Sequence, residues 1–161
     1  MLISDLEARL VLPADTNKLD ELFAFIREKL EKVGCPEMIQ TQIELAAEEI
    51  FVNIVRYAYK DGNSGRSEDG ENERAIPYGS CEITMMVTSG SETGDGRTAM
   101  TLRFTDQGNP FNPLEHMDPD ISSRLMERKT GGLGILIVKR IMDMVEYSYD
   151  GMNHLLIKKI W

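Results

Sequence analysis

Apolar residues recur along this chain with two different periods, and each change from one to the other marks an element boundary. Residues 3–12 alternate as a strand does and stop at Pro13. Asp15 or Thr16 then offers a helix cap ahead of Leu19, Leu22, Phe23, Ile26 and Leu30, a one-sided stripe that should end at Gly34. From Pro36 a longer stripe runs through Ile39, Ile43, Ala46, Ile50 and Ile54, widened by Ala47, Phe51 and Val55, and predicts a helix to about Tyr59. Residues 60–77, rich in Gly, Asn, Ser and acids, have no apolar period and read as a flexible surface insertion. Alternation returns at 80–89 and 98–106, predicting a hairpin with a rather long loop. Residues 107–130 carry Gly108, Pro110, Pro113 and Pro119 and a short helical candidate over 120–129. A third long helix is predicted from near Gly132 to Val145, with Lys139, Arg140 and Asp143 on one narrow polar arc. Two strands around an Asp150-Gly151 turn complete the pattern.

This order predicts one α+β domain over 1–161, a two-layer sandwich with three main helices packed on one face of a mixed, mainly antiparallel sheet. A doubly wound nucleotide fold would need regular βαβ alternation, which is missing.

Composition narrows the partners more than the fold. The chain has 161 residues, 18 Lys+Arg against 27 Asp+Glu, and a formal charge of −9. Binding a polyanion draws on clustered bases, so nucleic acid and anionic membranes are poor candidates for the main partner. Asp5, Glu7 and Arg9 interrupt the opening apolar stretch, and the longest aliphatic run, 135–138, is far too short for a bilayer. Cys35 and Cys81 form no pattern and suggest a reducing compartment. A cytoplasmic protein is expected.

Three motifs carry candidate chemistry. In EIFVN, Glu49 and Asn53 lie one turn apart, only about 40° around the helix axis, so a carboxylate and an amide oxygen present themselves together. A carboxylate can take a proton from a nucleophile, and an amide oxygen is a hard ligand suited to Mg²⁺ in partnership with phosphates. Read alone, such a pair is most often a solvated helix face. Asp106 and Gly108, in DQGNPF after a strand, combine an acceptor for an exocyclic amino group with a bare backbone that a flat ring can approach, or form an ordinary turn. Gly131, Gly132, Leu133 and Gly134 open the third helix, where free N–H groups and the helix dipole favour an anion; no Lys-Ser/Thr follows, so this is not the common phosphate loop.

Together and in this order, FTDQGNPFNP, GGLGILIVKRIMDMVEYSYDGMNHLLIKK and EEIFVNIVRYAY resemble the Bergerat-type ATP-binding domain shared by histidine kinases, gyrase-type ATPases, Hsp90 chaperones and MutL repair proteins. The match is closest to the bacterial anti-sigma-factor serine/threonine kinases. The resemblance implies ATP and Mg²⁺ as cofactors. It makes Glu49 the general base, Asn53 the Mg²⁺ ligand and Asp106 the acceptor for the adenine amino group, with Gly108 beside the ring. Gly131, Gly132 and Gly134 would let a lid, residues 109–130, close over the triphosphate, with Arg124, Arg128 or Lys129 as candidate phosphate contacts. The partners implied are an antagonist with a STAS domain, whose serine is phosphorylated, and a sigma factor, with the homodimer common in that family. The alternative is an ATP-binding regulatory module that sequesters a protein partner without transferring phosphate.

The chain departs from the family pattern at Tyr57, where His is frequent, and at Asn112, where Asp is frequent. His116 and His154 have no Cys or carboxylate at ligand spacing, so no zinc site or triad is expected. Glu48 points about 100° away from Glu49 and is only a fallback base.

Overall fold

A computed structural model describes residues 5–59, 76–90, 94–115 and 133–161. The element order is β1 (Leu6–Pro13), a 3-10 turn (Thr16–Lys18), α1 (Leu19–Lys32), α2 (Glu37–Tyr57), β2 (Ser80–Thr88), β3 (Ala99–Asp106), α3 (Leu133–Ile141), β4 (Met144–Tyr149) and β5 (Asn153–Ile160). The sheet runs β1-β2-β3-β5-β4, and all four pairings among the described residues are antiparallel, so the expected sandwich of helices on a mainly antiparallel sheet is present.

Helix entries and exits follow local chemistry. Asp15 accepts the Asn17 N–H at 2.9 Å and caps the turn that leads into α1. Gly34, at φ 67°, takes the left-handed conformation that ends α1. The third helix is shorter than its apolar pattern predicts and stops at Ile141 instead of Val145. The reason lies in Asp143: its N–H donates to Lys158 O at 2.9 Å and its Oδ2 accepts the Ile160 N–H at 2.7 Å, so the chain is drawn into the sheet and Met144 and Val145 become strand residues.

The core lies between the helices and one sheet face. Cys81, Ile83, Met85 and Val87 of β2 and Met100, Leu102 and Phe104 of β3 meet Leu22, Ile26 and Leu30 of α1, Ile43, Ala46, Ile50 and Phe51 of α2, and Val138 of α3. Arg27 holds Glu44 through two hydrogen bonds of 2.7 and 2.9 Å and ties α1 to α2. The inward rows of β3 and β5 share one feature. Each continues its apolar alternation to the strand end nearest α2 and finishes on a polar residue, Asp106 or Asn153, and the ladder pairs those two directly.

Candidate functional site

Asp106 and Asn153 are 4 % and 5 % exposed, so their polar atoms need partners inside the protein or in a ligand. Asp106 Oδ1 accepts the Gly108 N–H and an N–H of Asn153 Nδ2, both at 2.9 Å; Oδ2 takes no hydrogen bond among the described residues. Asn153 Nδ2 also donates to Asn109 O at 2.9 Å and Gly108 O at 3.3 Å, while its Oδ1 accepts from the Phe111 N–H at 3.1 Å and the Tyr147 hydroxyl at 2.5 Å. Acceptors surround one end of the amide and donors the other, which fixes its orientation. Burial pushes the Asp106 carboxyl above its ordinary range, opposed by the Asn153 and Gly108 hydrogen bonds and by nearby His154.

These groups floor a cavity of about 30 Å³ lined also by Asn53, Ile54, Tyr57 and Ala58 of α2 and by Asn109, Phe111 and Pro113 of the loop after β3. That is room for about one water, well under the ~300–1,000 Å³ of a ligand pocket. Two of the lining rings, Tyr57 and Phe111, stack with centroids 5.3 Å apart and planes at 25°. Asn53 is 8 % exposed, and its side chain makes no hydrogen bond among the described residues. It is therefore a polar group at the cavity wall with capacity to bind a ligand or a cation.

The loop after β3 is pinned to α2 at its root. Asn109 donates its N–H to Ala58 O at 3.0 Å. A Cβ on Gly108 would lie 2.5 Å from Ala58 C, so the bare side of Gly108 is filled by the end of α2, a packing need separate from any ring. Tyr59 adds a second tie, donating its hydroxyl proton to Ser80 O at 2.6 Å and accepting the Gln107 N–H at 2.9 Å.

Glu49 sits one turn before Asn53 on α2 and faces the start of α3. Its carboxylate lies over the Cα of Gly134 and makes no hydrogen bond or ion pair among the described residues. Desolvation pushes its pKa up, neighbouring Glu48 pushes it further, and Arg56 pulls it down. A half-buried carboxylate with a raised pKa is suited to receive a proton.

Of the expected site residues, Asn53 and Asp106 line one cavity, Gly108 packs against the end of α2, and Glu49 meets Gly134 at the start of α3. Leu133 supplies the first backbone unit of α3. Gly131, Gly132, Arg124, Arg128, Lys129 and His116 lie outside the described residues, as do 60–75 of the insertion and 116–130 of the lid. Sequence reasoning missed Asn153, Tyr147 and Phe111. Asn153 was recoverable by carrying the inward alternation of Ile157 and Leu155 back to the first residue of β5.

His154 lies on the helix-free face, with Nδ1 3.0 Å from Thr105 Oγ1 and Nε2 2.8 Å from Asp150 Oδ1, a pairing that holds the β4–β5 turn. No group of three or more His, Cys, Asp or Glu is placed to hold a metal among the described residues, and no helix among them is long and apolar enough to cross a membrane.

Residues 12–159 match the family described as the histidine kinase-like ATPase domain. The chain is 24 % identical over 114 residues to the serine/threonine-protein kinase BtrW of Bordetella bronchiseptica, a stretch covering 70 % of this chain and 65 % of that protein, slightly under two thirds of its length. Its fold is shared with the RsbU and RsbW domains of Rv1364c from Mycobacterium tuberculosis, at TM-score 0.53 and 15 % identity over 96 % of this chain and 32 % of that one. It is also shared with the SiaB–SiaC complex of Pseudomonas aeruginosa, at TM-score 0.50 and 13 % identity over 96 % and 89 %.

Proposed function

The chain belongs to the histidine kinase-like ATPase domain family, and on that premise we propose that it is an ATP-dependent serine kinase of the partner-switching type, acting on a STAS-domain antagonist and sequestering a sigma factor. The observation that carries this reading is the division of labour along α2: Asn53 lines the cavity whose floor is Asp106, while Glu49, one turn earlier, stands at the start of α3. Base recognition, phosphate binding and proton transfer then fall in sequence along one cleft.

In this reading Asp106 Oδ2 accepts a hydrogen bond from the adenine amino group, and Asn153 keeps the carboxylate turned to receive it. The positive end of α3 would meet the phosphates, and Gly131 and Gly132 before it would leave room for them. Asn53 would offer its amide oxygen to Mg²⁺, a hard ligand suited to a cation held mainly by substrate phosphates. Bound there, Mg²⁺ would neutralise charge developing on the transferred group. Glu49 takes the proton of the serine hydroxyl as its Oγ bonds to the γ-phosphorus and the bond to the bridging oxygen breaks, releasing ADP. A protein partner is supported by the kinase named BtrW and by the complex formed by SiaB. The reading places the protein in the cytoplasm, with ATP and its partners.

Calorimetry with ATP and Mg²⁺ should give binding to the wild type and a clear loss in Asp106→Ala; an unchanged affinity would remove the nucleotide assignment. Labelled ATP, tested with STAS-domain proteins encoded nearby, should label a serine in the presence of wild-type protein and not of Glu49→Gln. Binding with no transfer to any of them would favour the non-catalytic module instead.

A further inference from the structure

Gly134 is the second residue of α3, and nothing in its backbone asks for glycine: it is helical and not among the residues with positive φ. Alanine is the better helix former at such a place. What fills the space of its missing side chain is the Glu49 carboxylate. A Cβ on Gly134 would collide with Glu49 Oε2 and lie 2.8 Å from its Cδ and 3.4 Å from its Cγ. We propose that Gly134 is a positioning residue for Glu49, its bare Cα forming the seat that holds the carboxylate against the start of α3.

The seat works by shape. A glutamate with no hydrogen-bond or ion-pair partner among the described residues has several rotamers open to it, and a close-fitting surface narrows that spread. Narrowing matters because a general base acts only within hydrogen-bond reach of the proton it takes. The collision is with the far end of a flexible side chain, so an alanine here displaces the carboxylate and leaves the helix packing in place. Stability and transfer should therefore separate. The inference rests on the reading of Glu49 as the base, and it assigns Gly134 to the base instead of to close approach of the phosphates.

The test is Gly134→Ala in the full chain. The thermal midpoint is expected at or above that of the wild type, the ATP dissociation constant unchanged, and kcat for phosphoryl transfer lower by about 100-fold, the scale of a displaced general base, with KM for ATP unchanged. A crystal structure of the variant should show the Glu49 carboxylate moved off α3. In a Glu49→Gln background, Gly134→Ala should add no further loss. An unaltered kcat, a loss of ATP affinity in step with kcat, or a carboxylate that stays while α3 shifts would each overturn the proposal. Should the variant fail to fold, Glu49→Asp asks the same question from the other side. Its shorter side chain cannot reach the seat, so transfer should fall although the carboxylate is kept, and a wild-type rate would overturn the idea. If the wild type transfers no phosphate, the kinase reading fails while the crystal structure still decides the seat.

Discussion

Asn153 stands directly across the β3–β5 ladder from Asp106 and donates to its Oδ1 at 2.9 Å, so the carboxylate at the cavity floor is held by a residue from a strand that arrives much later in the chain. The same amide reaches three backbone groups of the 108–111 segment and the Tyr147 hydroxyl. One side chain therefore fixes both the acid and the loop that covers it.

Asn153→Ala should consequently be among the more damaging substitutions outside the apolar core. It strips partners from several buried groups at once, and leaving buried polar groups unpaired costs ~1–3 kcal/mol. Urea unfolding should report a loss in that range, and nucleotide affinity should fall with it because Asp106 loses its support. A variant with wild-type stability and affinity would show that water replaces the amide without penalty.

Phe111 stacks on Tyr57, and both rings line the small cavity above Asp106. Phe111→Ala removes one ring of the lining, and an aromatic pair is worth ~0.5–1.5 kcal/mol beyond its burial. Stability should drop modestly, while nucleotide association measured by stopped flow should become faster, since the ring no longer has to part from its neighbour. A slower association would mean that Phe111 is a platform for the bound base and not an obstruction to it.

Much of this was legible in the sequence because the informative residues lie where local patterns are strict. Asp15, Gly34 and Pro36 bracket α1 and the start of α2, and the period of Ile43, Ile50 and Ile54 fixes which side of α2 is buried, and so where Glu49 and Asn53 stand. Two features were not legible, each for a physical reason. The end of α3 was hidden because 141–145 is mostly apolar and suits helix or strand equally; only the long-range hydrogen bonds of Asp143 to β5 decide it. Asn153 follows Asp150 and Gly151, so it reads as part of a turn; the alternation of Ile157 and Leu155 turns it inward, but its pairing with Asp106 becomes evident only once β5 is placed between β3 and β4. The seat of Glu49 on Gly134 is likewise a contact between distant segments that no local period encodes.

The pKa of Glu49, raised by burial and by Glu48, has a consequence for stability that can be separated from catalysis. A carboxyl whose folded pKa lies above its unfolded value binds more protons when folded, so stability falls as pH rises from the unfolded pKa, ~4.3, through the folded one, and levels off above it. Replacing it by a neutral isostere removes that loss. Glu49→Gln should be somewhat more stable than the wild type near pH 7, and the difference should vanish below about pH 4, where both side chains are uncharged. Thermal melts across that range would check it; a variant less stable than the wild type at neutral pH would mean that the charged carboxylate has a favourable partner.

Tyr59 offers the cleanest test of whether the loop after β3 must be tied down for the site to work. Its hydroxyl bridges Ser80 O at 2.6 Å and the Gln107 N–H at 2.9 Å, joining the start of β2 to the residue after Asp106, and its ring meets Tyr78 edge-on with centroids 5.0 Å apart. Tyr59→Phe keeps the ring contact and deletes only the bridge. Two part-buried hydrogen bonds at about 0.5–1.5 kcal/mol each predict a loss of ~1–3 kcal/mol in urea unfolding. The Asp106 carboxylate keeps its own bonds to Gly108 and Asn153 in this variant, so nucleotide affinity should fall far less than in Asn153→Ala. Equal losses of affinity in the two variants would place the control of the site in the loop root and not in the strand pair beneath it.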